Sequence, residues 1–357
     1  MDYNIIPQDQ MLPKERMAAL VKGEEFDRLP CDMMLSENIA PYLNIKTNDY
    51  YFNADLLLQG ELYKVRELGF EGAGTGITLR GIGEALGSKL EYPDNRAAHV
   101  VEPILKDYDQ LASMDVINPY KDGRMPIVLE AIYKMREELD DIVDVSTSIP
   151  GPISAAHAVR GEKQILRDII RRPDDFARLL EFMVECGLTF AEAMYKENGL
   201  TCSIADPMCS TVLLNPKTFY HQVFPHLKAL VDGIYQITGS RPSLHICGTT
   251  KEIWPYLREL NLSTYSLDNL EDVGECKQVM GDKMRIIGNV DPVGVICNGN
   301  REEIFAAVKY CIEQAYDSPC GYFVASGCDI PSGTPIENFK AMQDATRYYG
   351  QYKDLYR

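Results

Sequence analysis

The chain has 357 residues, 45% apolar and 25% charged, ordinary proportions for a soluble globular protein and enough for one large domain or two smaller ones. Thirty-six basic residues against 53 acidic ones leave a net charge of −17, which argues against nucleic acid or an anionic membrane as partner. Apolar runs fall far short of the roughly 20 residues of a membrane span, and Met1 to Glu15 lacks the basic start and apolar core of a secretory signal.

A reducing cytoplasm is therefore the expected setting, and disulfides are not expected among the ten cysteines. Cys31, Cys186, Cys202, Cys276, Cys297, Cys311 and Cys320 lie in or beside apolar runs and read as inert core thiols.

Along the chain, Lys14 to Lys22 has helical spacing and stops at Gly23. Phe26-Asp27-Arg28-Leu29-Pro30 leads into a first strand, Cys31 to Leu35, and Tyr51 to Leu68 reads as a helix. Gly69 to Gly87 holds seven glycines, too many for a stable helix, and is expected to be irregular loop and strand beside a pocket. From Pro119 the alternation is regular. A helix near Pro126 to Leu139 precedes a strand from Asp141 to Ser148, closed by the turn Pro150-Gly151-Pro152. Helices follow at Glu162 to Arg171 and Pro173 to Asn198, then strand Thr201 to Ala205 and a helix from Pro216 to Thr238. Strand Pro242 to Cys247, helix Thr250 to Leu260, strand Thr264 to Leu267 and helix Val273 to Met280 continue the cycle. Strand Met284 to Gly288, helix Arg301 to Tyr316, strand Tyr322 to Ser326 and helix Pro335 to Tyr348 complete it. About eight strands alternate with helices, the pattern of a single-domain (β/α)8 TIM barrel spanning 1–357 with an N-terminal helical extension.

Polar residues recur where strands stop: Asp206, His245 with Cys247, Asp268, Asn289 with Asp291, and Cys328 with Asp329. In a β/α barrel these five loops converge on one mouth. The chain has neither a Gly-x-Gly-x-x-Gly after a strand nor a Walker-type loop, so dinucleotide and P-loop chemistry find no support. His245 and Cys247, two apart on a strand, leave the same face. With Cys328, 81 residues further on, they form a three-ligand set suited to zinc with its fourth position free. A structural zinc would need a fourth protein ligand, for which Cys209, in the loop after Asp206, is the nearest rival. Taken singly, His245 reads as a structural histidine and the cysteines as core thiols.

Several stretches resemble the uroporphyrinogen decarboxylase superfamily, and in particular its zinc-containing, corrinoid-dependent methyltransferase branch. They are Glu15-Arg16-Met17 through Pro30, Pro150-Gly151-Pro152-Ile153, Ile204-Ala205-Asp206-Pro207 with Ser210, Gly288 to Pro292, and Gly333 to Asn338. The likeness runs over roughly residues 11 to 350 and is weakest between 36 and 140. Two departures separate the chain from the true decarboxylases. Asp32 to Glu37 has no arginine where those enzymes hold tetrapyrrole carboxylates, and Gly327-Cys328-Asp329 replaces a histidine-bearing loop. The resemblance implies that His245, Cys247 and Cys328 bind zinc. It also implies a partner corrinoid protein that exchanges a methyl group with a small molecule. The acceptor is expected to be a thiol such as coenzyme M. The opposite direction, with a methylated donor, and tetrapyrrole decarboxylation are the alternatives.

Asp206 and Asp268 are the catalytic candidates, either orienting His245 or taking up a proton; both also suit helix caps. Asn289 and Asp291 read as loop-shaping residues able to face the substrate or corrinoid. Glu84, before Ala85-Leu86-Gly87, is a candidate for the open metal position. His157, His221 and His226 read as structural or surface residues.

Overall fold

The computed structural model describes residues 5–356. Its strands are β1 (Cys31–Met34), β2 (Gly72–Gly74), β3 (Lys89–Glu91), β4 (His99–Glu102), β5 (Asp144–Pro150), β6 (Cys202–Ala205), β7 (Ser243–Ile246), β8 (Thr264–Leu267), β9 (Arg285–Val290) and β10 (Tyr322–Asp329). Eight of them form one sheet in the order β1-β10-β9-β8-β7-β6-β5-β2, and β3 pairs with β4 in a separate antiparallel hairpin. All pairings in the eight-stranded sheet are parallel. With helices outside, this is the (β/α)8 barrel expected from the alternation.

The ladder is open between β1 and β2, and side chains bridge that seam. Lys64, on helix Ala54–Glu67, donates from Nζ to Leu35 O at 3.0 Å beyond the end of β1. It pairs with Glu61 at 2.6 Å, whose Oε2 accepts from Gly74 N on β2 at 2.9 Å. Asp32 fills the remaining space: a Cβ on Gly72 would lie 2.7 Å from its Oδ2. Buried there, the Asp32 carboxyl is pushed up to about 8.

Outward-facing Val145, Thr147 and Ile149 of β5 are buried beneath helices, whereas inward-facing Asp144 and Ser146 are exposed. Barrel interiors are ordinarily filled by bulky branched side chains. This wall instead carries Ser146, Ser148, Ser203, Ser243 and Ser266, and solvent reaches into it.

Several elements depart from the sequence expectation. Helix Pro152–Arg160 starts inside the supposed Pro-Gly-Pro turn, because a proline at the first helical positions has no N–H to waste. Gly81–Ala85 forms one short helix despite its glycines, since Gly83 packs against Ala158 too closely for a side chain. The span 216–238 is broken by a π-helical turn, Phe219–Val223, and the helix expected from Thr250 is reduced to Lys251–Ile253 and Trp254–Leu257. Strand β10 continues past Ser326 and carries Cys328 itself. Of the seven thiols read as core, Cys297 and Cys320 are only half-buried. Burial pushes Cys31 and Cys202 up to about 12, consistent with inert thiols.

Candidate metal centre

Register brings the site together. Ala205 of β6 stands beside His245 of β7, which stands beside Ser266 of β8. Cys247 lies one residue past β7, and Cys328 near the end of β10 enters from across the barrel mouth. His245 Nε2 lies 3.1 Å from Cys247 Sγ, and Cys247 Sγ lies 3.2 Å from Cys328 Sγ. All three donor atoms fall within 4.8 Å of one another, and each residue is half-buried. Cys209 is fully buried with its thiol beside Asp206, so the structure does not place it in this cluster.

The thiols are electrostatically unequal. The sulfhydryl of Cys247 hydrogen-bonds to Cys328 and, with His245, pulls that thiol below its ordinary value. Cys247 is pushed up by the same bond, by burial and by the charges of Cys328, Asp268 and Asp329. The cluster thus gathers two thiols and an imidazole with no Lys or Arg among its donors. That donor set fits zinc: one imidazole and two thiolates are its preferred ligands. With Zn–S of about 2.3 Å, a tetrahedral ion holds its sulfurs about 3.8 Å apart, so the two sulfurs need spread by only about half an ångström.

Comparisons with known proteins give the chain its family. The uroporphyrinogen decarboxylase (URO-D) family profile matches residues 12–349. The chain belongs to the uroporphyrinogen decarboxylase family. Within it, a methylcobamide:CoM methyltransferase of Methanosarcina barkeri is 26% identical over 343 residues, covering 94% of this chain and 98% of that one. A methylated-thiol–coenzyme M methyltransferase of Methanosarcina mazei is 24% identical, covering 98% and 94%. A uroporphyrinogen decarboxylase of Geobacter sulfurreducens is 23% identical but covers only 71% of this chain and 73% of its own. Among solved structures, a methyltransferase from Methanosarcina mazei superposes with a TM-score of 0.83 at 25% identity, covering 98% of this chain and all of that one. A B12-independent methionine synthase from Shewanella, TM-score 0.53 at 10% identity over 82% and 86% of the two chains, shares the fold alone.

Around the cluster, the remaining candidates have distinct partners. Neither aspartate orients the His245 ring. Nδ1 instead meets Ser266, 3.0 Å from Oγ and 3.2 Å from the backbone carbonyl. A carbonyl only accepts, so the proton belongs on Nδ1 and the Nε2 lone pair faces the sulfurs. Ser266 was not singled out from the sequence; its signal is its register beside His245 on the next strand. Asp268 Oδ2 accepts from Gly248 N at 2.8 Å and Oδ1 from Leu270 N at 2.9 Å, fixing the turn just after Cys247. Asp206 is fully buried, accepts from Ser154 N at 2.9 Å, and donates its own N–H to His245 O at 3.0 Å. Burial pushes its carboxyl up to about 6. A Cβ on Gly151 would lie 2.1 Å from its Oδ2, which is why glycine stands in the Pro-Gly-Pro stretch.

Asn289 donates from Nδ2 to the backbone oxygens of Asp268 and Glu271, at 3.0 and 2.6 Å, and Asp291 Oδ1 accepts from Val293 N and Gly294 N, both at 2.9 Å. These are the loop-shaping roles expected of them. Glu84 pairs with Arg124 at 3.6 Å, and burial raises its carboxyl. Asp329, beside Cys328, accepts from Ser36 N and from Asn38 Nδ2, each at 3.0 Å, tying β10 to the loop after β1.

Proposed function

We propose that the chain is a zinc-dependent methyltransferase of the cytoplasm. It moves a methyl group between a cobamide, carried by a partner corrinoid protein, and a small thiol such as coenzyme M. The observation that carries this reading is the His245, Cys247 and Cys328 cluster at the barrel mouth, in a chain aligned almost end to end with methylcobamide:CoM methyltransferases.

His245 Nε2 and the two sulfurs would hold the metal, leaving a position toward the mouth. Zinc bound there would keep a coordinated substrate thiol deprotonated at neutral pH. Two protein thiolates already offset the charge of the ion, so the substrate sulfur retains its nucleophilicity. Ser266 holds His245 in the tautomer that presents Nε2, and Asp268 anchors the backbone that aims Cys247. In the forward direction the S–C bond forms as the Co–C bond breaks, the electron pair stays on cobalt, and the thiol proton passes to solvent. The methylated-thiol relative supports a second reading, in which a methylated small molecule is the donor. Decarboxylation is disfavoured because the segment following Cys31 offers Asp32 and Glu37 but no arginine.

The test is a coupled assay of zinc content and of methyl transfer from methylcobalamin to a thiol, followed by loss of the methyl-cobalt absorbance. The proposal expects about one zinc per chain and thiol-dependent demethylation. A zinc-free protein active in transfer, or a zinc-loaded protein that releases carbon dioxide from uroporphyrinogen, contradicts it.

A further inference from the structure

All ten cysteines are free, and six of them, Cys31, Cys186, Cys202, Cys209, Cys276 and Cys311, are buried. Four are half-buried, and among the described residues only Cys247 and Cys328 have thiols in contact with each other, at 3.2 Å. They lie 81 residues apart in the chain, and separate frameworks hold them. The turn after Cys247 is fixed by Asp268, which accepts from Gly248 N at 2.8 Å, and by Ser210, whose Oγ donates to Thr249 O at 3.2 Å. Cys328 is held by β10 and by Asp329, which accepts from Ser36 N and Asn38 Nδ2 in the loop after β1. Neither framework uses the sulfurs themselves.

The contact distance lies between two bonded states. Around zinc the sulfurs stand about half an ångström further apart. In a disulfide they stand about 2.05 Å apart, about 1.2 Å closer, a shift of about 0.6 Å for each side chain. The two states exclude each other, because a sulfur engaged in an S–S bond has no thiolate to give to a metal. Both residues are half-buried at the barrel mouth, so a small molecule from solvent can reach them.

We propose that Cys247 and Cys328 form a reversible thiol–disulfide switch, which closes the metal site when the small-thiol pool is oxidised. The proposal rests on the proposed function for the small thiol and adds the regulation of its site. In the metal-free chain, one of the two thiolates attacks a sulfur of the small thiol's symmetrical disulfide. A mixed disulfide forms, the original S–S bond breaks and one small thiolate leaves. The second cysteine, already in contact, attacks the bonded protein sulfur; the Cys247–Cys328 bond forms and the second small thiolate leaves. The pair loses two electrons, the small disulfide gains them, and the two protein protons end on two small thiols. Excess small thiol runs the same steps backwards and frees the site for zinc. The substrate thus reopens the site it uses, and its disulfide shuts it. In a reducing compartment such bonds are transient and regulatory rather than structural.

The test takes the full chain, stripped of metal by a chelator, and adds the symmetrical disulfide of 2-mercaptoethanol. Peptide mass spectrometry of the parent is expected to find Cys247 and Cys328 cross-linked to each other, with no adduct on either residue. Zinc affinity should fall at least about a hundredfold, since the S–S bond leaves His245 as the remaining donor, and 2-mercaptoethanol should restore it. Cys247→Ser and Cys328→Ser should each stop at the mixed disulfide, one small thiol heavier at the remaining cysteine. Cys320→Ser, at a half-buried cysteine outside the pair, should behave as the parent does. Zinc loaded beforehand should slow the reaction at least about tenfold, because it occupies both thiolates. A parent that halts at the mixed disulfide, a cross-link through another cysteine, or an oxidised chain that binds zinc as before overturns the proposal. A working switch in a chain that cannot demethylate methylcobalamin would instead overturn the proposed function and leave the switch standing.

Discussion

Two polar clusters in this protein, one buried beneath the barrel and one half-buried at its mouth, differ in how their charge is met. Beneath the barrel, Arg16 and Arg28, at 0% and 1% exposure, meet Asp9, Asp27 and Glu71, and Arg347 closes the set on Asp9. Three guanidinium groups face three carboxylates, at separations such as 2.7 Å for Arg16 to Asp27 and 3.0 Å for Arg16 to Glu71. This network neutralises itself and pins the N-terminal extension to the barrel and to the last long helix. At the mouth, two thiols and an imidazole, each half-buried, gather with Asp268 and Asp329 nearby and no Lys or Arg among them. Burying charge without a partner is costly. A cluster of metal-type donors with no guanidinium or ammonium of its own is open to a cation from outside, whereas one that pairs each carboxylate with a guanidinium is scaffold.

Substitutions can break or sharpen that contrast. Cys247→Ala or Cys328→Ala has the largest expected effect: loss of bound zinc and a drop in methyl transfer of at least about a thousandfold, with the melting profile of the metal-free parent. Zinc retained at full stoichiometry would remove the altered cysteine from the site. Arg28→Met should do the reverse, destabilising the fold by about 3–5 kcal/mol in urea denaturation because buried carboxylates lose their partner, while zinc per folded chain stays constant. Ser266→Ala should weaken zinc about 10–100-fold in competition with a chelator, the usual cost of losing the group that orients a metal-bound histidine. An unchanged affinity would mean that the ring needs no such anchor.

A further effect, read as a pH dependence, concerns the seam. Asp32 keeps its proton in the fold up to about pH 8, whereas unfolded it ionises near about 3.9. Across that window folding takes up a proton, so stability falls as pH rises. Asp9 and Asp27 work oppositely. Their carboxyls are held low by Arg28 and by Arg16, so their contribution, full above about pH 4, is lost in acid. Asp32→Asn should flatten the decline between pH 5 and 8 and leave the acid limb alone. Parallel pH–stability curves for parent and variant would refute a protonated Asp32.

Much of this was legible in the residue order. Regular alternation after Pro119 pointed to the barrel, and the two-residue spacing of His245 and Cys247 put both on one face. Cys328 was harder, since Ser326 read as the end of its strand while the structure carries β10 through Asp329. Pairings between distant segments were not legible. The β1–β2 seam is closed by Lys64, Glu61 and Asp32, which as sequence look like an amphipathic helix and a strand. Ser266 is one serine among many until register sets it against His245. Asp206 and Asp268 were rightly noticed as strand-end carboxylates, but nothing local showed that their hydrogen bonds run to backbone amides rather than to the imidazole.

The central claim is that the mouth cluster holds zinc and leaves one position to the substrate sulfur. Zinc K-edge absorption of the purified protein, before and after adding the thiol, tests it most directly. The account predicts one nitrogen and two sulfur neighbours at first, and a third sulfur once the thiol is present. A zinc shell that already contains four protein ligands and ignores the thiol, or a protein that takes up no zinc, would contradict it.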